Sequence, residues 1–180
     1  MSSQQRVIIF DGPDMCGKTE MALELSQDLQ IPYFKNEGEW KFFEDDPQYF
    51  ANCIKYGATF FLSYLKTSGT SVIMDRGHPS EWVYSKAFNR KTDHNILRQV
   101  DESFAELGTK IIIPTRTSYE HAIDQFSAIT PAKLFLIDNL YHEFSKWTAC
   151  ETFFMNVDDE NLQREMSEIK SFLKESGALK

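Results

Sequence analysis

One segment near the amino terminus has the residue types and spacing of a phosphate-binding loop. Residues 12–19 match the pattern G-x-x-x-x-G-K-S/T, with an apolar run before them and an amphipathic helical pattern after them. Glycines let backbone N–H groups wrap around phosphates, and the amino terminus of the helix adds positive potential. In this pattern Lys18 reaches the β- and γ-phosphates and Thr19 ligates magnesium. The predicted nucleotide site consists of Gly12, Pro13, Asp14, Met15, Cys16, Gly17, Lys18 and Thr19.

A second candidate site follows the apolar run 72–74, where Asp75 and Arg76 are adjacent. A carboxylate at the tip of a strand beside a phosphate loop can hold magnesium or orient the attacking group. A guanidinium can bind a second phosphate through two parallel hydrogen bonds. An ordinary ion pair at a strand end is the alternative, and the phosphate loop favours the functional reading. We therefore assign catalysis to Lys18, Asp75 and Arg76, and metal binding to Thr19 and Asp75.

The apolar pattern predicts the elements that would position these residues. Runs at 7–10, 72–74, 111–113 and 153–155 are apolar on both faces, as in parallel strands covered by helices on either side, and Tyr33-Phe34 is a weaker fifth run. Helical periodicity occupies 18–29, 47–66, the segment after Thr130-Pro131, and 159–175. The sequence thus predicts a three-layer α/β fold with a five-stranded, mostly parallel sheet. Ligands in such sheets bind beyond the carboxyl ends of the strands.

Composition narrows the class of protein. With 180 residues, 42% of them hydrophobic, and no repeat or linker, the chain is expected to form one domain over 1–180. A net charge of −8 argues against an extended nucleic-acid footprint. The three cysteines, Cys16, Cys53 and Cys150, lack disulfide or zinc spacing. No apolar run approaches the roughly 18 residues of a membrane span, and no secretory signal is visible, so we expect a cytoplasmic protein with no membrane partner.

The two motifs resemble those of a known family. Residues 10–19 are similar to the opening of the thymidylate kinases, which carry an acidic residue inside the loop where this chain has Asp14. Residues 75–80, Asp-Arg-Gly-His-Pro-Ser, are similar to the Asp-Arg-Tyr segment of that family and the serine that follows it. The resemblance implies a P-loop kinase fold, ATP and Mg²⁺ as cofactors, a nucleotide substrate and a homodimer. If the member is phage-encoded, its location would be the host cytoplasm.

The resemblance also implies an acceptor site. Asp14 would contact the 3′-hydroxyl of the acceptor sugar, and Arg76 its phosphate. Lys35 and Lys55 stand where the family has arginines that hold the acceptor phosphate and read the base, respectively. Ser80 corresponds to the family's serine, and Tyr84 faces the same cleft if residues 80–88 are helical. His78 is open between a turn residue and an acceptor contact.

The chain departs from the family pattern in ways that leave the acceptor open. Thymidylate kinases carry an arginine in the phosphate loop or in a lid, whereas here residues 118–133 contain none and only Arg116 lies near the predicted lid at about 115–131. Gly77 replaces the tyrosine of the family motif. The first hypothesis is a kinase of a dTMP-like deoxynucleoside monophosphate. The alternatives are a kinase of 5-hydroxymethyluracil in DNA, as in phage DNA hypermodification, a deoxynucleoside kinase, or a nucleotide-binding regulator without catalysis.

Overall fold

The computed structural model describes residues 5–36, 57–120 and 129–179, and within these ranges the chain forms five strands and six helices. The strands are β1 (Val7–Phe10), β2 (Tyr33–Lys35), β3 (Val72–Asp75), β4 (Lys110–Thr115) and β5 (Glu151–Asn156). The helices are α1 (Lys18–Leu29), α2 (Thr59–Ser68), α3 (His78–Ala87), α4 (His94–Glu106), α5 (Pro131–Trp147) and α6 (Leu162–Glu175). None of these helices combines the length and apolarity that crossing a bilayer requires.

The strands form one sheet in the order β2-β3-β1-β4-β5, and each neighbouring pair is parallel. The prediction of a five-stranded α/β sheet is confirmed. Strand β1 lies in the middle of the sheet, with β3 on one side and β4 on the other. Such a switch in strand order opens a crevice at the carboxyl ends of the strands. The segment after β1 therefore lies where a ligand would bind.

Both faces of the sheet are covered, which explains why its central strands are apolar at every position. On one face, Val7 and Ile9 of β1 pack with side chains of α2, α3, α4 and α5. On the other face, Ile8 and Phe10 pack with side chains of α1 and α6. Because successive side chains of a strand point to opposite faces, all four residues of β1 are buried. The result is the three-layer arrangement that the sequence predicted.

Several helix ends follow from local sequence. The side chain of Thr130 accepts a hydrogen bond from the backbone of Lys133, and Pro131 occupies the first turn of α5, as predicted. α3 begins at His78 with Pro79 in its first turn, slightly ahead of the predicted 80–88. The last helix begins at Leu162, later than the predicted 159, because Asn161 caps it through the backbone of Arg164.

Two helical segments differ from expectation. The helix α4 was not predicted, although Asp93 caps it and Leu97, Val100 and Phe104 form its buried stripe. Because Leu97, Val100 and Phe104 recur at spacings of three and four residues, helical periodicity was a usable signal for α4. Of the helix predicted over 47–66, the described part is α2, which extends to Ser68, and residues 47–56 lie outside the described residues.

We predict that Gly12→Ala destabilises the protein more than Gly69→Ala does. Both glycines have positive φ, at 150° and 64°, so alanine is strained at either position. A Cβ at Gly12 would also lie 2.9 Å from the carbonyl oxygen of Pro114 in β4, whereas one at Gly69 meets nothing within 4 Å. Urea unfolding should show a loss of about 1 kcal/mol for Gly69→Ala and at least about twice that for Gly12→Ala. Equal losses would contradict the close contact with β4.

Candidate functional site

Strand register brings the predicted site residues to one edge of the sheet. Phe10 of β1 pairs with Asp75 of β3, and Asp75 pairs in turn with Lys35 of β2. The residues that follow these three strands therefore emerge at one level. They line a cavity of about 380 Å³ formed by Asp14, Met15, Cys16, Gly17, Lys18, Thr19, Glu20, Lys35, Asp75 and Arg76.

The loop between β1 and α1 has the backbone shape of a phosphate cradle. Gly12, Met15 and Gly17 have positive φ values of 150°, 66° and 67°, and α1 starts directly after Gly17. The start of the loop is also bonded to the neighbouring strand β4, because Asp11 donates its backbone N–H to the carbonyl of Ile112 at 3.0 Å. Turns that alternate the sign of φ direct successive N–H groups into one concavity that attracts anions. All of residues 14–19 line the cavity.

Lys18 is buried at the floor of the loop, with 7% of its surface exposed. Its Nζ donates to the carbonyl oxygen of Pro13 at 2.5 Å and lies 3.9 Å from a carboxylate oxygen of Asp14. Burial, together with the positive charge of Arg76, lowers the pKa of Lys18 to about 8, although Asp14 opposes this shift. An anion in the loop would offset both effects.

The hydroxyl of Thr19 and the carboxylate of Asp75 meet at the end of β3. Asp75 Oδ2 accepts hydrogen bonds from Thr19 Oγ1 at 2.6 Å and from Tyr33 Oη at 2.9 Å. Hydroxyl and carboxylate oxygens are the donors that Mg²⁺ prefers, and this ion usually takes only one or two of them from protein beside a phosphate. Thr19 and Asp75, the pair predicted to hold magnesium, are thus in contact and offer oxygen ligands, and Tyr33 orients the carboxylate.

Arg76 turns the chain from β3 into α3 with a φ of 70°. Its Nη2 forms an ion pair with Asp14 of the phosphate loop, and its Nη1 donates to Ser80 Oγ at 3.2 Å. The guanidinium carbon also lies 5.4 Å from the centre of the Tyr84 ring. Arg76 therefore bridges the phosphate loop and α3 while a quarter of its side chain stays exposed.

Gly77 follows Arg76 where the family motif has a tyrosine, and the structure gives a reason for glycine. A Cβ at Gly77 would lie 3.3 Å from Cγ2 of Ile9, which is tighter than ordinary packing. Its N–H donates to Asp11 Oδ2 at 3.0 Å. The start of α3 is thus pressed against β1, and a large side chain at position 77 would separate the two.

The remaining predicted acceptor residues fall into three groups. Lys35 lines the cavity beside Arg76. Ser80 and Tyr84 lie next to Arg76 but outside the residues that form the cavity wall, and the Tyr84 hydroxyl is buried without a hydrogen-bond partner in the described structure. Burial raises the pKa of Tyr84 well above its usual value, so the phenol stays protonated. Lys55 lies outside the described residues, and its assignment stays a prediction.

His78 is a core residue and does not line the cavity. Its Nε2 lies 2.9 Å from Asp101 Oδ1 on α4, and its ring stacks on Phe104 at a centroid distance of 5.0 Å. Asp101 also accepts the backbone N–H of Ala149 at 2.7 Å. His78 is therefore neither a turn residue nor part of the cavity wall: it is the first residue of α3 and attaches the start of this helix to α4.

Sequence reasoning missed the residue with the densest hydrogen bonding at the site. Asp11 is fully buried, and its carboxylate accepts five hydrogen bonds among the described residues: from the N–H groups of Gly12, Gly77 and Ser80 and from the hydroxyls of Ser80 and Tyr141. Its position directly after an apolar strand was a usable signal, since a carboxylate there must be paired. Tyr141 lies on the buried face of α5, and nothing in its local sequence indicates the hydroxyl contact.

Arg116 at the end of β4 contacts the outer side of the phosphate loop. Its Nε donates to the carbonyl of Met15 at 2.9 Å, and its Nη2 pairs with Glu160 at 2.9 Å. Nearby, Tyr119 Oη donates to Asp138 Oδ2 at 3.2 Å and lies 3.8 Å from Cys16 Sγ. The start of the predicted lid is therefore joined to the loop, while residues 121–128 lie outside the described structure.

Comparison with known proteins identifies similar solved structures. No known family pattern and no curated protein matches the chain. The YorR protein of Bacillus subtilis, solved in complex with phosphorylated GDP, is 19% identical, with a TM-score of 0.67 over 97% of this chain and 99% of that one. Thymidylate kinase from Ehrlichia chaffeensis is 13% identical, with a TM-score of 0.65 over 95% of this chain and 100% of that one.

Deoxyadenosine kinase from M. mycoides, solved with dCMP and dCDP as products, is 18% identical, with a TM-score of 0.58 over 94% of this chain and 99% of that one. The similarity covers nearly the whole of each chain. The protein therefore has the fold of the thymidylate kinase-like P-loop kinases, as the two sequence motifs indicated. At these identities the shared property is the fold, and function must be argued from the residues of the cavity.

The pKa of Lys18 leads to a prediction about pH. Below pH 8 Lys18 is already protonated in the free protein. Above pH 8 it is mostly neutral, and because a bound polyphosphate favours the charged lysine, binding takes up a proton. The dissociation constant of MgATP should therefore rise by up to about tenfold between pH 8 and pH 9. Titration calorimetry in buffers of different ionisation enthalpy measures both affinity and proton uptake. The Lys18→Met variant should bind more weakly and without this dependence; the same pH profile in that variant would contradict the assignment.

Proposed function

We propose that the protein is a nucleotide kinase that transfers the γ-phosphoryl group of ATP to a deoxynucleoside monophosphate such as dTMP. The observation that carries the proposal is the composition of one cavity. Its wall contains residues 14–19 of the phosphate loop, including Lys18, and two further cations beyond the loop, Lys35 and Arg76. A site that binds a single nucleotide needs only the first set. A second phosphate beside the first would bind to the other two cations.

The donor side follows from the phosphate loop. Backbone N–H groups and Lys18 would hold the β- and γ-phosphates of ATP, and the amino terminus of α1 adds positive potential. Thr19 and Asp75 would hold Mg²⁺, which when bound neutralises charge on the phosphate oxygens. Tyr33 keeps the Asp75 carboxylate oriented toward Thr19. The donor would thus be fixed from both sides by groups that are already in place.

The acceptor side depends on Arg76 and Lys35. Arg76 would bind the acceptor phosphate with the guanidinium edge that its contacts to Asp14 and Ser80 leave available, and Lys35 would add a second positive charge. Asp14 lies between the two halves of the cavity, since it contacts Arg76 and lies 3.9 Å from Lys18. It would accept a hydrogen bond from the acceptor sugar.

Catalysis would come from positioning and charge. Phosphoryl transfer requires the acceptor oxygen in line with the leaving oxygen, with cations around the transferring group. Arg76 is the arginine best suited to this task among the described residues, since it contacts the phosphate loop through Asp14 and faces the acceptor half of the cavity. Arg116 supports the outer side of the loop through Met15.

A nucleoside acceptor is the second candidate, favoured by the likeness to a deoxyadenosine kinase. A nucleoside brings no phosphate for Arg76 and Lys35, and its hydroxyl must lose a proton to a nearby carboxylate. Asp14 and Asp75 are carboxylates on the cavity wall. The DNA acceptor is less well supported, because the net charge of −8 disfavours a long polyanion.

We predict that purified protein with MgATP converts dTMP to dTDP. The assay is mass spectrometry of products with dTMP, dUMP, dCMP, dGMP, thymidine, deoxyadenosine and duplex DNA containing 5-hydroxymethyluracil. Lys18→Ala should lower turnover by at least about 10³-fold, because the positive charge that stabilises the transferring phosphoryl group is removed. Lys66→Ala, which removes an exposed ion pair with Glu106, is the matched control and should retain full activity. A phosphorylated nucleoside or DNA would favour the second candidate or the DNA acceptor, and ATP binding without any product would indicate a regulator.

We also predict that Arg76→Lys lowers kcat/KM for the monophosphate by about 10²-fold or more, because lysine cannot form the two-pronged contact with phosphate and Asp14. The KM of MgATP should change by less than about threefold, since the loop backbone and Lys18 hold the donor. Steady-state kinetics with each substrate varied separately make the comparison. An equal rise in both KM values would contradict an acceptor-side role for Arg76.

A further inference from the structure

The hydroxyl of Ser80 connects a buried carboxylate to the acceptor-side arginine. Ser80 Oγ donates to Asp11 Oδ1 at 2.7 Å and accepts from Arg76 Nη1 at 3.2 Å. Arg76 Nη1 itself is 4.0 Å from Asp11 Oδ1, which is too far for a direct hydrogen bond. The serine oxygen therefore carries the contact between the two charged groups.

The direction of each hydrogen bond in this chain is fixed by chemistry. A hydroxyl has one proton, and an ionised carboxylate can only accept. Because the Ser80 hydroxyl donates its hydrogen bond to Asp11, a lone pair of the hydroxyl oxygen faces Arg76, which can only donate. Asp11 is 0% exposed and is held by four further donors, so it is not free to turn away. The serine oxygen is thereby fixed as an acceptor for Arg76.

Asp11 also fixes the backbone on which Arg76 stands. Its Oδ2 accepts the N–H groups of Gly77 at 3.0 Å and of Ser80 at 3.1 Å. The backbone N–H of Arg76 donates to the carbonyl of Phe10 at 2.8 Å. The backbone of Arg76 is therefore bonded directly to the end of β1, and its Nη1 is connected to the same place through Ser80 and Asp11. The phosphate loop begins at this point.

We propose that Ser80 is a positioning residue. Its hydroxyl bridges the immobile carboxylate of Asp11 and the guanidinium of Arg76, and so orients the guanidinium toward the acceptor phosphate. This inference rests on the proposed function, because it assumes that Arg76 binds an acceptor. It also changes the role expected for Ser80, which acts through Arg76 and does not itself touch the acceptor. Without this hydrogen bond the guanidinium would keep its contact with the Tyr84 ring and its ion pair with Asp14, a loop residue whose carboxylate also lies 3.9 Å from Lys18.

The hydroxyl can be tested apart from the fold. Ser80→Ala removes Oγ but keeps the backbone bonds from Gly77 and Ser80 to Asp11. Ser85 provides a matched control, since it lies in the same helix, is buried, and donates its hydroxyl to the carbonyl of Trp82, away from Arg76. Ser80→Thr retains the hydroxyl and serves as the rescue variant.

The experiment measures affinities of dTMP, thymidine and MgATP by calorimetry. Ser80→Ala should weaken dTMP binding by about tenfold, the usual effect of losing one hydrogen bond that orients a charged group. Thymidine and MgATP should bind within about twofold of the wild type, because neither uses the Arg76 contact with an acceptor phosphate. Ser80→Thr should restore dTMP affinity, and Ser85→Ala should leave all three affinities unchanged.

Two outcomes would overturn the proposal: an unchanged affinity for dTMP in Ser80→Ala, or an equal loss for all three ligands, which would indicate a merely structural role. A separate measurement distinguishes this failure from failure of the proposed function. In NMR spectra of arginine side chains, the Nε–H signal of Arg76, identified by its absence in Arg76→Lys, should shift and exchange faster in Ser80→Ala than in Ser85→Ala. No change would overturn the inference whatever the acceptor is. A changed signal in a protein that fails to bind dTMP would instead count against the monophosphate acceptor.

Discussion

The site depends on one buried carboxylate at the tip of the first strand. Asp11 accepts hydrogen bonds from the phosphate loop, from the start of α3 and from Tyr141 of α5. Burial of the Asp11 carboxylate is costly unless its oxygens accept hydrogen bonds. These three elements must therefore pack around it to supply the donors. The phosphate loop and the start of α3, which follows Arg76, are thus both hydrogen-bonded to Asp11, and this side chain holds them next to each other.

The cations of the cavity are arranged so that a phosphate would relieve an existing cost. Lys18 is buried near the positive charge of Arg76, and both effects lower its pKa to about 8. Asp14 is the common counter-charge, since it pairs with Arg76 and lies 3.9 Å from Lys18. Asp11, 4.0 Å from Arg76 Nη1, and Asp75, on the cavity wall, add further negative charge. A phosphate bound in the loop would favour the protonated lysine and so offset the effect of burial on its pKa.

Structural likeness and local chemistry answer different questions here. Similarity to thymidylate and deoxyadenosine kinases extends over more than nine-tenths of each chain, although the identities are below 20%. That similarity is one of fold. At the edge of the cavity Gly77 follows Arg76, and a Cβ there would lie 3.3 Å from Cγ2 of Ile9 in β1. A larger side chain at position 77 would require Ile9 or the start of α3 to move.

The sequence by itself determined the features whose signals are local. The loop motif, the apolar runs of the strands and the proline-marked helix starts are short patterns, and together they predicted the layers, the sheet and the meeting of Thr19 with Asp75. Tertiary structure alone decided the pairing of Arg76 with Asp14, the direction of the Ser80 hydroxyl and the use of Tyr141 as a hydrogen-bond donor to Asp11. These contacts join residues up to 130 positions apart. No local pattern encodes them, because they arise from strand register and helix packing that only the folded chain defines.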